Sequence, residues 1–177
     1  MTTHAMIDLE TLGTKPNCVI LTLGAIKFNP LTADEPNNGI YQKFDIDQQD
    51  KLGRSQDEST IEWWGKQAKN IQDEAFGEDG RTPLRQALEE LGKLCFHCDL
   101  IWANGTTFDM VILENAYKQE GIPVPWQFWR VRDARTVYTL YPDLPKPKAS
   151  HHALEDCKRQ IDLLQQTLQH LGVTELR

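Results

Sequence analysis

The sequence predicts a single mixed α/β domain, in which a β-sheet of three leading antiparallel strands plus parallel strands is flanked by helices. Three segments rich in β-branched and apolar residues come first, and helical spacings with one further short apolar segment follow. The length of 177 residues suits one domain spanning 1–177. A chain of this length can bury a core without help from disulfides or structural metal.

The leading strands are predicted from composition and alternation. Residues 5–9 (AMIDL) and 18–28 (CVILTLGAIKF) are apolar and β-branched, and the turn-forming residues 13–17 lie between them, which predicts a hairpin. Residues 40–46 alternate well enough to form a third strand. The intervening segment 29–39 is rich in proline and asparagine and is expected to be a loop.

The rest of the chain is predicted to be mostly helical. Residues 59–68 open with Ser-Thr and carry apolar residues at helical spacing, which indicates a short helix. Thr82 followed by Pro83 is typical of a helix cap with proline at the first position, and this helix is expected to end near Cys98. A strand at 99–103 and helices at 108–119, 133–140 and 150–171 complete the pattern.

The charge balance limits the kind of nucleic-acid partner the chain can have. Nineteen basic and 26 acidic residues give a net charge of −7, which excludes a generally basic nucleic-acid coat protein. The balance is compatible with a nucleic-acid enzyme, because the carboxylates of a metal site are offset by the cations that they bind.

The cysteines and the N-terminal residues bear on compartment. The opening MTTHAMIDLE lacks the basic and apolar regions of a signal peptide, and no run approaches the roughly 18 apolar residues of a membrane helix. We therefore expect a cytoplasmic protein, no membrane partner and four free thiols. Cys95-Phe-His-Cys98 matches half of a zinc site, but no second pair follows at zinc-finger spacing, so buried thiols on a helix are favoured over zinc.

The first candidate site is the pair Asp8 and Glu10, at the end of the first predicted strand. Residues two apart in a strand point to the same face, so the two carboxylates lie side by side. Such a pair repels and desolvates badly unless a cation joins it, and hard oxygen ligands suit Mg²⁺ or Mn²⁺. Taken alone, the pair would be interpreted as a solvated acidic surface; the apolar residues before it and the turn-like residues after it favour a metal site.

Two further segments carry acids in suggestive places. Asp109 follows a strand end and a small polar loop, where a cleft opens at the strand C-terminus, although it could instead cap a helix. His151 and Asp156 lie at the start of the last helix, about 140° apart on an ideal helix. They can approach one pocket if the histidine lies at the loop-side start of that helix; otherwise it is a surface or capping residue.

In this order and with this spacing, the three segments resemble the DEDDh exonucleases, the DnaQ-like branch of the ribonuclease H-like superfamily. The family's D-x-E motif is matched by Asp8 and Glu10, its second aspartate by Asp109, and its H-x-x-x-x-D motif by His151 and Asp156. The resemblance spans residue 6 to about 165. Within the family, MIDLETLGTKPN and the segments around residues 63–64, 104–105, 126–129 and 133–136 are similar to exodeoxyribonuclease VIII-like enzymes of phages and prophages.

The resemblance implies a 3′-5′ exonuclease that releases nucleoside 5′-monophosphates from single-stranded DNA, with RNA as the alternative substrate. Asp8, Glu10 and Asp156 would hold one of two divalent cations, Mg²⁺ or Mn²⁺, and Asp8 would bridge to a second supported by Asp109. His151, which has the family's spacing to Asp156, would be the general base. His152 is then a neighbour, and Glu155 is expected to be solvated.

The substrate contacts are expected near the first motif. The resemblance places Thr11, Leu12 and Gly13 near the terminal nucleotide and Phe108 beside its base, with helix-start packing as the alternative for Phe108. Four tryptophans could stack on bases, but we expect all but one to lie in the core: Trp63, Trp64, Trp126 and Trp129. A basic stretch could meet phosphates or pair with the surplus acids: Arg130, Arg132, Arg135, Lys146 and Lys148.

Two other classes of protein are weighed against this interpretation. An inactive relative that only binds nucleic acid would be favoured by loss of a motif residue, and all five are present. A phosphatase of the haloacid dehalogenase type needs D-x-D, whereas Glu10 occupies the second position here. The expected partners are single-stranded DNA or RNA 3′ ends, in a bacterial or phage-infected cell, and a homodimer is compatible with the sequence.

Overall fold

A mixed β-sheet organises the computed structural model, which describes residues 3–34, 36 and 39–176. Its strands are β1 (His4–Thr11), β2 (Ile20–Phe28), β3 (Gly39–Phe44), β4 (Arg81–Thr82), β5 (Leu100–Ala103) and β6 (Val131–Asp133). Within the described residues they form one sheet in the order β4-β3-β2-β1-β5-β6.

The strand directions confirm the predicted mixed sheet. Strands β1, β2 and β3 are antiparallel neighbours, and β5 runs parallel to β1, with β6 parallel to β5. The short strands β4 and β6 were not predicted, since two or three residues carry too little pattern to identify a strand. Residues 18 and 19 precede β2, and Cys18 instead makes an isolated bridge to Ser55.

Seven α-helices and one 3₁₀ turn are assigned in the described part of the chain. They are α1 (Ile46–Lys51), α2 (Glu58–Gly65), α3 (Lys69–Phe76), α4 (Leu84–Cys95), α5 (Thr106–Glu120), the 3₁₀ turn Phe128–Arg130, α6 (Ala134–Tyr138) and α7 (Ala153–His170).

Several element boundaries differ from prediction by a few residues. The third strand ends at Phe44, because the Asp45 side chain accepts a hydrogen bond from Gln48 N and begins α1. Thr82 belongs to β4 and does not cap α4; the free N–H of Leu84 is taken by Gln48 Oε1 at 2.8 Å. Helix α4 ends at Cys95, so Cys98 lies beyond it, although both thiols are free and buried.

The helices cover both faces of the sheet. On β1, Ala5, Ile7 and Leu9 pack into the core under α4 and α5, whereas Met6 packs into the core under α6 and α7. Because side chains alternate along a strand, Asp8 and Glu10 share the α7 side with Met6. No helix in the described part of the chain is long and apolar enough to span a membrane.

A glycine on β2 lets α7 lie close against the sheet. Gly24 pairs with Asp8, and a Cβ atom at this position would lie 2.4 Å from the carbonyl carbon and oxygen of Ala153. The start of α7 therefore contacts the sheet backbone next to Asp8. This close approach places the acids of α7 beside those of β1.

Candidate active site

The two acids of β1 lie where the strand reaches the edge of a cleft. Asp8 and Glu10 are both partly exposed, and the pairing of β1 with β2 shifts register between Glu10 and Thr11. Their backbone positions are held by β2 on one side, while β5 pairs with β1 only as far as Ile7. The chain thus leaves the end of β1 open toward α5 and α7.

Helix α5 brings in the third acid. Asp109 is 4% exposed, and its Oδ1 accepts a hydrogen bond from Leu9 N at 3.1 Å, between the two acids of β1. The helix begins after Gly105, whose φ of +123° suits a residue without a Cβ atom. Asp109 therefore joins α5 to β1, and it does not act as the N-cap residue of its helix.

Helix α7 and the segment before it bring in the fourth acid and the histidine. Asp156 is 3% exposed and accepts hydrogen bonds from Ser150 N and His151 N, both at 2.9 Å, and from Arg159 Nε at 3.1 Å. His151 precedes the helix with a φ of +58°, and its Nδ1 lies 3.9 Å from Glu10 Oε1. His151 therefore lies in the loop just before α7, the placement that lets it share a pocket with Asp156.

The assembled side chains fit a divalent cation. One ligand atom each from Glu10, His151 and Asp156 lies within 4.8 Å of the other two. Burial and the nearby carboxylates of Asp156 and Asp109 raise the pKa of Glu10 to about 8. Burial raises the pKa of Asp109 to about 7, and burial with the neighbouring acids raises that of Asp8 well above its usual range. Acids so crowded are stable in ionised form when a cation neutralises them, and oxygen donors suit Mg²⁺ or Mn²⁺.

Two tryptophans of α2 surround the histidine. The rings of Trp63 and His151 meet edge to face with centroids 4.9 Å apart, and Trp64 lies 6.4 Å from His151. Trp64 is held in place by a 2.9 Å hydrogen bond from its Nε1 to Thr11 O. This contact was not predictable from the sequence, because the two segments are far apart in the chain and share no motif.

His152 is fixed on the other side of the same segment. Its Nδ1 accepts a hydrogen bond from Glu155 N at 3.4 Å, and its ring stacks on Tyr41 with centroids 4.2 Å apart. Its Nε2 lies 3.9 Å from Glu74 Oε1. His152 thus ties the segment before α7 to β3 and α3, while His151 faces the acids. The Glu155 side chain is half exposed and pairs with Lys158, in line with its expected solvation.

A cleft of about 300 Å³ adjoins the acids. Glu10, Thr11, Gly13, Trp63 and Phe108 line it, together with Ser59 and Thr60 of α2. Three of the four predicted substrate-contacting residues therefore lie at this cleft. Leu12 is the exception: it is 3% exposed and packs in the core with Val19 and Trp64, so its side chain is directed away from a substrate.

The remaining candidates divide between the two ends of the sheet. Arg135 donates a hydrogen bond to Asn104 O at 2.9 Å, close to α5 and Asp109, whereas Arg130 donates to Cys98 O at the start of β5. The basic stretch is thus not one surface.

Trp64 and Trp126 are buried, but Trp63 and Trp129 are 40% and 57% exposed, so the expectation of a single exposed tryptophan among the four is wrong.

One residue at the site was missed altogether. Gln160, on α7, donates a hydrogen bond from Nε2 to Asp8 Oδ1 at 2.7 Å. It lies one turn after Asp156 on the helix, and that spacing was the only available signal.

Comparison with known proteins identifies the family. Residues 3–168 match the family model described as the 3′-5′ exoribonuclease Rv2179c-like domain. An exodeoxyribonuclease of Enterobacteria phage T4 is 26% identical over 202 residues, covering 93% of this chain and 88% of the phage protein.

Solved structures share the fold. E. coli exonuclease I in complex with a dT13 oligonucleotide superposes with a TM-score of 0.67 at 16% identity, covering 97% of this chain and 43% of that one. This chain therefore spans less than half of exonuclease I. The nuclease domain of 3′hExo, a DEDDh family member bound to rAMP, has a TM-score of 0.64 at 14% identity, covering 99% of this chain and 94% of that one. Because a family model matches almost its whole length, the chain belongs to the 3′-5′ exoribonuclease Rv2179c-like domain family and is a 3′-5′ exonuclease, with a fold shared with the DEDDh nuclease domain of 3′hExo.

Proposed function

We propose that this exonuclease removes nucleotides from the 3′ ends of single-stranded DNA and releases nucleoside 5′-monophosphates. The observation that carries the proposal is that ligand atoms of Glu10, His151 and Asp156 lie within 4.8 Å of one another, at the end of β1 that also holds Asp8 and Asp109 and beside a cleft that Glu10 lines. DNA as substrate is supported by the phage exodeoxyribonuclease and by the oligonucleotide complex of exonuclease I. RNA is the second candidate, supported by the family's description and by the rAMP complex of 3′hExo.

Two divalent cations, Mg²⁺ or Mn²⁺, are proposed as cofactors. Asp8, Glu10 and Asp156 would hold one, and Asp8 with Asp109 the other. Bound cations would lower the pKa of water and stabilise the attacking and leaving oxygens of the phosphodiester. The crowding of buried acids is the support for this assignment, because it raises the pKa of Asp8, Glu10 and Asp109, and a bound cation would favour their ionised forms.

The residues of the chain would act around these cations. His151 would take the proton of the attacking water as general base, since its imidazole lies beside Glu10 at the acids. The packing of Trp63 against its ring leaves His151 few orientations, so the base is held toward Glu10. Phe108 and Trp63, on the walls of the cleft, would contact the terminal base, and Thr11 and Gly13 would contact its sugar and phosphate.

One assay tests this proposal. The protein is incubated with Mg²⁺ or Mn²⁺ and 5′-labelled single-stranded DNA or RNA, beside Asp8→Ala and His151→Ala. His97→Ala is the matched control, because His97 also has a positive φ but lies exposed beyond α4, away from the cleft. We expect ladders of shortened products from the wild type and from His97→Ala, and DNA degraded faster than RNA.

The outcomes separate the parts of the proposal. Intact DNA and RNA with the wild type in both metals would refute the enzymatic function. Equal activity of the wild type and Asp8→Ala would indicate a contaminating nuclease. Faster degradation of RNA would replace DNA by RNA as the substrate. Full activity of His151→Ala would exclude His151 as the general base.

A further inference from the structure

Gln160 contacts the Asp8 carboxylate from the core side. The residue is 1% exposed, whereas Asp8 keeps part of its surface accessible. The 2.7 Å hydrogen bond from Gln160 Nε2 to Asp8 Oδ1 therefore reaches the carboxylate from behind, on the side away from solvent. The amide occupies Oδ1, so Oδ2 is the oxygen left for a cation.

The position of Gln160 is itself fixed. Its backbone carbonyl accepts a 2.8 Å hydrogen bond from the hydroxyl of Tyr138. One turn earlier, Cys157 lies against β1 and β2, with its Sγ 3.3 Å from Gly24 O. Because these contacts fix the helix backbone and Gln160 is 1% exposed, its side chain has little freedom to leave Asp8.

The side-chain amide of Gln160 is hydrogen-bonded through its nitrogen but not through its oxygen, among the described residues. Gln160 Oε1 is buried and has no hydrogen-bond partner among the described residues. A buried amide that served stability alone would be expected to have both of its ends satisfied. The Gln160 amide instead donates to an acidic side chain, which favours a role in orienting the Asp8 carboxylate.

We propose that Gln160 is a positioning residue that holds the Asp8 carboxylate in the orientation needed to bind a divalent cation. The inference rests on the proposed function, in which Asp8 is a cation ligand. Asp8 is surrounded by Glu10, Asp109 and Asp156, and repulsion would turn an untethered carboxylate away from them. A hydrogen bond to a ligating carboxylate from the side away from the cation orients that carboxylate. Loss of such a partner typically lowers metal affinity about 10–100-fold.

The test measures cation binding directly. The dissociation constant for Mn²⁺ is determined by calorimetry for the full-length wild type, Gln160→Met and Gln160→Asn. Methionine keeps the volume without the donor, and asparagine keeps an amide that is one methylene too short to reach Asp8. Gln165→Met is the matched control, because Gln165 is a buried glutamine of the same helix whose Nε2 donates to Asn29 O at 2.8 Å, far along α7 from the acids.

We expect the Mn²⁺ dissociation constant to rise about 10–100-fold in both Gln160 variants. In Gln165→Met the constant should stay within about twofold of the wild type while the melting temperature falls. The inference is overturned if either folded Gln160 variant binds Mn²⁺ as tightly as the wild type, or if the wild type binds no Mn²⁺. A wild type that binds Mn²⁺ but degrades neither DNA nor RNA would refute the proposed function and leave the role of Gln160 standing.

Discussion

Neutralising Glu10 should stabilise the metal-free protein. The pKa of Glu10 rises from its usual 4.5 to about 8, chiefly because burial disfavours the charged form, and then because Asp156 and Asp109 repel it. The folded state therefore binds this proton more tightly than the unfolded state does. The stabilisation from the protonated form is complete below pH 4.5 and is lost as the pH rises toward 8. Metal-free stability should fall across that interval.

The size of the effect follows from the pKa difference. Each pH unit between 4.5 and about 8 contributes at most about 1.4 kcal/mol, which gives an upper limit of about 5 kcal/mol. Asp8 and Asp109 share the protons of the cluster and reduce this figure, so we expect about 2–5 kcal/mol at pH 9. Glu10→Gln should then melt roughly 4–20 °C higher than the wild type in EDTA at that pH.

The assay is urea unfolding followed by circular dichroism in EDTA at pH 5, 7 and 9. Glu155→Gln is the control, because Glu155 is half exposed and its charge change should leave stability nearly unaltered. Addition of Mn²⁺ should stabilise the wild type more than Glu10→Gln. The reasoning is refuted if Glu10→Gln is no more stable than the wild type at pH 9, or if metal-free wild type gains stability from pH 5 to 9.

Three further substitutions test the geometry of the cleft. Trp63→Ala should raise KM at least about tenfold, because Trp63 lines the cleft. The melting temperature should change little, because the side chain is 40% exposed. An unchanged KM in steady-state kinetics would contradict a contact between Trp63 and the substrate. Gly24→Ala should lower the free energy of unfolding by about 1–3 kcal/mol and reduce activity, because the new Cβ atom would clash with Ala153. The control Gly65→Ala should change neither, because its Cβ atom meets no atom within 4 Å. His152→Ala should lower kcat more than it changes KM, since the contacts to β3 and α3 that hold the segment of His151 are lost; a KM effect alone would argue against this.

The central sheet and the acids of the site were predictable because they depend on short-range patterns. The period of two along β1 places Asp8 and Glu10 on one face, and the junction between β5 and α5 places Asp109 near them. The two-residue strand β4 and the six-residue helix α1 could not be recognised, because their sequences carry no measurable periodicity.

The parts of the site that were missed depend on contacts between distant segments. Trp63 packs on His151 across the cleft, and Gln160 bonds to Asp8 from 152 positions away. Leu12 follows directly after the acid motif, yet the irregular end of β1 turns it into the core with Trp64. Neighbouring positions in sequence therefore did not distinguish a residue lining the cleft from one packed behind it.

The sequence alone determined the mixed sheet and the order of the four candidate acids and the histidine along the chain, because alternation, turn residues and motif spacing are local properties. Only the tertiary structure decided which oxygen and nitrogen atoms meet, how far the acids perturb one another, and which aromatic and amide groups hold His151 and Asp8. The hydrogen bond to Asp8 arises where α7 packs against β1 and β2, and the ring contacts to His151 arise where α2 meets the segment before α7. Such packing is set by the summed shapes of segments far apart in the chain, and no local pattern records it.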